Sequence, residues 1–167
     1  MPAYFFDSSA LVKRFAREQA SAFVLRLLRP SAKNRLYAAR ITEVEVCAAL
    51  ARRRKANTIN AAQAAKGLRR LRHDLPRRFT QIAIVENVLV EASRLAETLA
   101  LRGYDAVQLA AAIAANNERV LNGLSPLIVV SADGELNDDA RAEGLNVEDP
   151  IRKTKSDPKF PPRRFKR

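Results

Sequence analysis

Cysteine and histidine are nearly missing from this chain, each occurring once, as Cys47 and His73. A lone thiol can form neither an intrachain disulfide framework nor a thiolate zinc site, and a lone imidazole leaves no nitrogen-rich metal set to compete with oxygen ligands. Cys47 falls inside a helical apolar pattern and reads as a buried structural thiol. Long apolar runs are lacking too: the Ala/Leu/Ile/Val stretches stop well short of the roughly 18 to 20 residues that cross a bilayer. No basic-then-apolar leader opens the sequence. The expectation is a soluble, cytoplasmic protein with no membrane partner. There is no internal repeat, and 167 residues at 47% apolar content suit one core with a short appendage.

Charge is present in quantity but segregated. The net charge is +12; residues 50–79 carry ten Lys/Arg against one acid and residues 151–167 carry eight against one, whereas residues 80–150 hold twelve acids against four bases. A surface that attracts a polyanion beside a carboxylate-rich region is what a metal-dependent nuclease needs, although either half alone could be an ordinary solvated face.

Residues 4–6 form a short apolar run that ends abruptly at Asp7, Ser8 and Ser9, which favour turns and helix caps, so a first strand is expected to feed a helix. Leu11, Val12, Phe15 and Ala16 carry that helix to about Arg17, and a second spans residues 21–28, stopped by Pro30. A strand is expected at 36–39, then a helix capped by Thr42 that runs through Val44, Cys47, Ala48 and Ala51. Asn57 and Thr58 open a helix with Lys66, Arg69, Arg70 and Arg72 on its polar face, closed by Pro76. Residues 80–85 read as a buried strand, 87–101 and 104–115 as helices, 127–130 as the clearest strand, and 135–143 as a last helix stopped by Gly144. Continuous rather than alternating apolar strands imply that both sheet faces are covered. Strands alternating with helices therefore predict an α/β fold whose central sheet is mostly parallel. From Ile151 onward, lysine, arginine and proline replace core formers, and a mobile tail over 151–167 is expected after a domain over 1–150.

In a parallel sheet, functional groups gather at the carboxyl ends of the strands. Asp7 and Asp133 both lie just past predicted strands, and two carboxylates brought together need protons or a cation to neutralise them. A hard divalent ion such as Mg²⁺, which takes oxygen ligands, is the simplest solution. Taken alone, Asp7 also has a plainer reading as a helix N-cap, and its pairing with Asp133 shifts that balance. Glu45 and Asp105 sit amid small or apolar residues of predicted helices, where a charge is costly to bury unless paired or metal-bound; Asp105 could instead cap the Ala-rich helix, and spacing alone does not separate Glu45 from Glu43.

Four stretches resemble the PIN-domain family, specifically its VapC toxin branch: Tyr4-Phe5-Phe6-Asp7-Ser8-Ser9-Ala10-Leu11-Val12-Lys13, Thr42-Glu43-Val44-Glu45 with Ala48-Ala49-Leu50, Leu101-Arg102-Gly103-Tyr104-Asp105-Ala106-Val107-Gln108-Leu109-Ala110, and Val130-Ser131-Ala132-Asp133. Ala142-Glu143-Gly144-Leu145 through Asp149-Pro150 also resembles that family's usual ending, so the likeness covers about residues 3–150. It implies a PIN-like three-layer α/β/α fold. Carried over residue by residue, the family's acidic quartet falls on Asp7, Glu45, Asp105 and Asp133, with Ser9 at its hydroxyl position, and the Val-Glu pair selects Glu45 over Glu43.

The resemblance implies a Mg²⁺- or Mn²⁺-dependent endoribonuclease, with the quartet as metal ligands and the 3′ oxygen as leaving group. It also implies a homodimer and a VapB-like antitoxin, whose amphipathic segment would cover the groove near the first helices and send a basic side chain into the acidic pocket. Arg52, Arg53 and Arg54, with Arg69 and Arg70 on the next helix, are candidates to hold the RNA backbone. A haloacid-dehalogenase-type site expects a second Asp where this chain has Ser9, and a receiver domain expects an acidic pair and a late Lys that do not occur. The serious alternative is a non-catalytic PIN-like module that binds RNA or protein.

Overall fold

The computed structural model describes residues 1–156. At its centre lies a five-stranded, wholly parallel sheet of β1 (Ala3–Phe6), β2 (Arg35–Ala39), β3 (Thr80–Ile82), β4 (Ile128–Val130) and β5 (Asn146–Glu148), in the order β3-β2-β1-β4-β5. All four residues of β1 are buried. Tyr4 and Phe6 face one side and Ala3 and Phe5 the other, as the two-residue period of a strand requires. This is why the run is apolar throughout.

Helices cover both faces and make three layers. Against Tyr4 and Phe6 lie α1 (Ser8–Leu11), α2 (Ser21–Leu27), α3 (Thr42–Lys55) and α4 (Ala61–Arg78), which contribute Leu11, Val24, Leu50, Leu71 and Leu75. Against Ala3 and Phe5 lie α5 (Glu86–Leu99), α6 (Gly103–Leu121) and α7 (Gly134–Ala142), with Leu95, Leu109 and Leu136. A short α8 (Pro150–Ser156) packs against α2. Among the described residues no helix is long and apolar enough to cross a membrane.

Several local expectations are corrected. The first helix is one α-turn and then a 3-10 turn over Val12–Arg14, so it does not run to Arg17. Thr42 is the first residue of α3 rather than its cap, because its hydroxyl is engaged with Gln108. α4 starts after Asn60, where a reciprocal capping box with Gln63 satisfies the helix end, while Asn57 has a φ of 56° outside it. Pro76 does not close α4 but lies inside its last turn, and the helix continues to Arg78 despite the one backbone N–H that proline lacks. Residues 80–85 shorten to β3, an edge strand whose residues are exposed or half-buried. β5 is a strand the sequence does not announce, since its Asn-Val-Glu carries no apolar run. Cys47 is half-buried at the core margin, not enclosed. The tail expected from 151 instead begins as α8, capped where Asp149 Oδ1 accepts the N–H groups of Ile151 (2.8 Å) and Arg152 (3.3 Å); residues 157–167 lie outside the described residues.

Candidate active site

The chain runs outward from β1 to β2 and β3, then returns to the other side of β1 for β4 and β5. The strand order therefore reverses between β1 and β4, and the crevice beyond their carboxyl ends is where an open parallel sheet places its ligand. Asp7 comes directly after β1 and Asp133 shortly after β4, so these two acids flank that crevice. Glu45 reaches the same edge from the first turns of α3, the helix after β2, and Asp105 from the first turn of α6.

A hydroxyl network knits β1 to β4. Asp7, 3% exposed, accepts at Oδ2 the N–H (3.0 Å) and hydroxyl (2.5 Å) of Ser9 and the hydroxyl of Ser131 (3.2 Å). Ser9 Oγ in turn accepts the N–H of Ala132 (2.9 Å), and Ser131 Oγ accepts that of Asp133 (3.1 Å). Both acids also cap helices: Asp7 caps α1, and Asp133 Oδ1 accepts the N–H groups of Glu135 and Leu136 at the start of α7. Capping and membership of the crevice are compatible, because a capping carboxylate still presents a second oxygen.

The carboxylates feel one another. Burial, then the charges of Asp7 and Asp105, push the Glu45 carboxyl up to about 7 against an opposing hydrogen bond from Gln108. Burial, then Asp7 and Asp133, raise Asp105 as well, with Arg102 opposing. Asp105 is half-buried and accepts no hydrogen bond or ion pair among the described residues. The four acids thus share one edge of the sheet, and Asp105 feels or is felt by each of the other three. They have not drawn together: among the described residues no three His, Cys, Asp or Glu side chains close into a set that could hold a metal as they stand. Of the two α3 glutamates, Glu45 faces the crevice, while the charge of Glu43 bears on Cys47.

A cleft of about 510 Å³ opens from Ser8, Ser9, Glu45 and Ala132 past Val12 and Val44 to Arg52 and Arg53. A second of about 480 Å³ shares Glu18, Arg52 and Arg53 with it, so the groove continues along α3. Sequence reasoning missed Lys13 and Glu18 here. Lys13, 7% exposed, donates to Glu18 (2.8 Å), and Glu18 also accepts from Arg53 (2.6 Å). Burial would raise the Glu18 carboxyl, but these two cations outweigh it and hold it low. Arg52 and Arg54 are exposed; Arg69 and Arg70 are exposed on α4 and line neither cleft. Ser131 and Gln108 were also missed as site residues. The only signal was their place inside the same short motifs as Asp133 and Asp105.

The PIN domain family profile matches residues 4–138. Among curated proteins none matches the sequence. Among solved structures, PAE2754 from Pyrobaculum aerophilum superposes with a TM-score of 0.58 at 20% identity, over 91% of this chain and 85% of that one. VapBC2 from Rickettsia felis, bound to a DNA fragment from its promoter, gives 0.58 at 14% identity, over 88% and 98%. A toxin–antitoxin complex from Klebsiella pneumoniae gives 0.55 at 20% identity, over 88% and 97%. These likenesses carry the three-layer fold, and the profile covers most of the sequence with the crevice acids of β1 and β4 inside it: the chain belongs to the PIN-domain family.

Proposed function

We propose that this chain is a divalent-metal-dependent endoribonuclease and the toxin of a type II toxin–antitoxin pair. The observation that supports the reading is that Asp7, Glu45, Asp105 and Asp133 lie at the same edge of the sheet, beside the strand-order reversal, near enough for Asp7 and Asp105 to raise Glu45 and for Asp7 and Asp133 to raise Asp105. PIN domains are in general nucleases. The toxin role draws on neighbours described as a VapBC2 assembly and a toxin–antitoxin complex.

The donor set suits a hard cation. It is all oxygen, and it contains a half-buried carboxylate, Asp105, that feels the charges of Asp7 and Asp133 and accepts no hydrogen bond or close ion pair among the described residues, with only the more distant charge of Arg102 opposing. Asp7, Glu45, Asp105 and Asp133 are the residues that would hold Mg²⁺ or Mn²⁺, with Ser9 orienting Asp7. When bound, such an ion lowers the pKa of a water molecule and neutralises charge on the leaving oxygen. The chain's own residues supply orientation and attraction. Ser9 and Ser131 fix the Asp7 carboxylate, and Arg52 and Arg53 along the cleft attract the phosphate backbone. Arg54, Arg69 and Arg70 would meet the strand only beyond the cleft. In the hydrolysis, the water oxygen bonds to phosphorus and the bond to the 3′ oxygen breaks. The water's proton ends on that oxygen and a 5′-phosphate remains. No side chain needs to form a covalent intermediate.

An antitoxin segment with one apolar face would suit Val12, Val44, Ala48 and Ala49 of the groove, its cation reaching the acids. A homodimer belongs to the same reading. Incubation of RNA with the protein and Mg²⁺ or Mn²⁺ tests the core of it: cleavage is expected, and EDTA or Asp7→Asn should abolish it. Binding of RNA or an antitoxin peptide without any cleavage would overturn the nuclease reading in favour of a non-catalytic binding module.

A further inference from the structure

One polar cluster inside the helical layers is not explained by packing. Gln108, 1% exposed, sits one turn after Asp105 on α6 and reaches across to the first turns of α3. Its Nε2 donates to Thr42 Oγ1 (3.0 Å) and to Glu45 Oε2, and Thr42, fully buried, returns its hydroxyl proton to Gln108 Oε1 (3.3 Å). Both amide hydrogens and the amide oxygen are therefore used. When Glu45 is ionised it dictates the orientation: a flipped amide would set Oε1 against a carboxylate oxygen, two acceptors face to face. Among the described residues the buried amide bonds to Thr42 and Glu45 alone, so an aliphatic side chain of the same size would avoid the cost of burying an amide. The polar group earns its place through Glu45. Residues three apart share a helix face, so the turn that carries Asp105 also carries the group that holds Glu45.

We propose that Gln108 is a positioning residue of the acidic crevice, setting the separation of Glu45 and Asp105, with Thr42 locking its amide. The inference rests on the metal-site reading above. Groups that orient metal ligands from behind are worth about 10- to 100-fold in metal affinity.

The test titrates Mn²⁺ into the full chain, reads free ion by electron paramagnetic resonance, and records melting temperatures in EDTA alongside. Gln108→Met should weaken Mn²⁺ binding at least about tenfold. It also strands the Thr42 hydroxyl, so it should lower the melting temperature. The double variant Thr42→Val/Gln108→Met removes the whole hydroxyl–amide pair and should recover the part of that stability lost at Thr42, Glu45 still lacking its donor, while keeping the weak Mn²⁺ affinity. Unchanged affinity in folded Gln108→Met, or recovery of affinity along with stability in the double variant, overturns the proposal. Should the methionine variants not fold, Gln108→Asn keeps the amide but draws it back by one methylene, and the same comparison applies. Absence of Mn²⁺ binding by the unaltered chain is a separate failure, which overturns the metal reading and this inference with it.

Discussion

Replacing Glu45 with glutamine should make the metal-free protein more stable at pH 8 while abolishing its response to Mn²⁺. Burial and the nearby charges of Asp7 and Asp105 lift this carboxyl from 4.5 to about 7. Its ionisation is therefore disfavoured in the folded chain relative to the unfolded one. A group whose pKa is raised on folding binds more protons folded than unfolded between the two values, so stability falls as pH rises from about 4.5 through about 7 and the penalty is complete above. In a dry site the lift would amount to roughly 3 kcal/mol; solvent in the open cleft reduces this to about 1–2 kcal/mol. The amide introduced by Glu45→Gln would remove the charge yet still accept the hydrogen bond from Gln108. In EDTA at pH 8, Glu45→Gln should melt about 3–6 °C above the parent chain, and at pH 4.5, where Glu45 is largely protonated in the folded state and half so in the unfolded one, the difference should nearly vanish. Added Mn²⁺ should raise the parent's melting temperature and leave the variant's nearly unmoved. A lower melting temperature for the variant at pH 8, or a gain of equal size at both pH values, would refute the claim that burial, with the charges of Asp7 and Asp105, penalises the ionised Glu45 in the fold.

Ser131→Ala removes one of the two hydroxyls that hold Asp7 Oδ2 and should cut Mn²⁺ affinity about tenfold with little change in circular dichroism. Asp74 anchors Arg14, which donates to it at 2.6 Å, and Arg78 stands 3.8 Å away; burial alone would raise its carboxyl, but these cations and His73 hold it low. Asp74→Ala leaves the part-buried Arg14 guanidinium without its carboxylate, while Arg78 keeps its bond to the Leu28 carbonyl, and should cost about 3 kcal/mol in urea unfolding at pH 7. Because folding lowers this pKa, the parent's advantage is complete above about pH 4, the unfolded value, and should fade as pH falls through the folded one. Arg52→Ala should weaken RNA binding and reduce the slope of log affinity against log salt by about 1, measured by fluorescence anisotropy.

Much of the fold is legible in local pattern. Tyr4-Phe5-Phe6 turning sharply into Asp7, and Ile128-Val129-Val130 into Ser131, mark buried strands feeding helices, and both are central in the sheet. Where pattern is weak the reading slips: β5 has no apolar run, α8 begins in a basic segment, and Pro76 sits within the last turn of α4 instead of ending it. Of the candidate cations, Arg52 and Arg53 prove to line the cleft, while Arg69 and Arg70 face solvent on another helix; helical spacing reports which side of its own helix a residue occupies, not what that side looks onto.

By itself the sequence determined which chemistry is available: apolar strands covered on both faces, and acids rather than imidazoles or thiols at their carboxyl ends. Those properties are set by residue type and short-range order. Only the tertiary structure decided the pairings: Ser131 with Asp7, 124 positions apart, Gln108 with Glu45, 63 apart, and Glu18 with Arg53, 35 apart. Each depends on the strand order that sets β1 between β2 and β4, and that order is fixed by how all the helices share the two faces of the sheet.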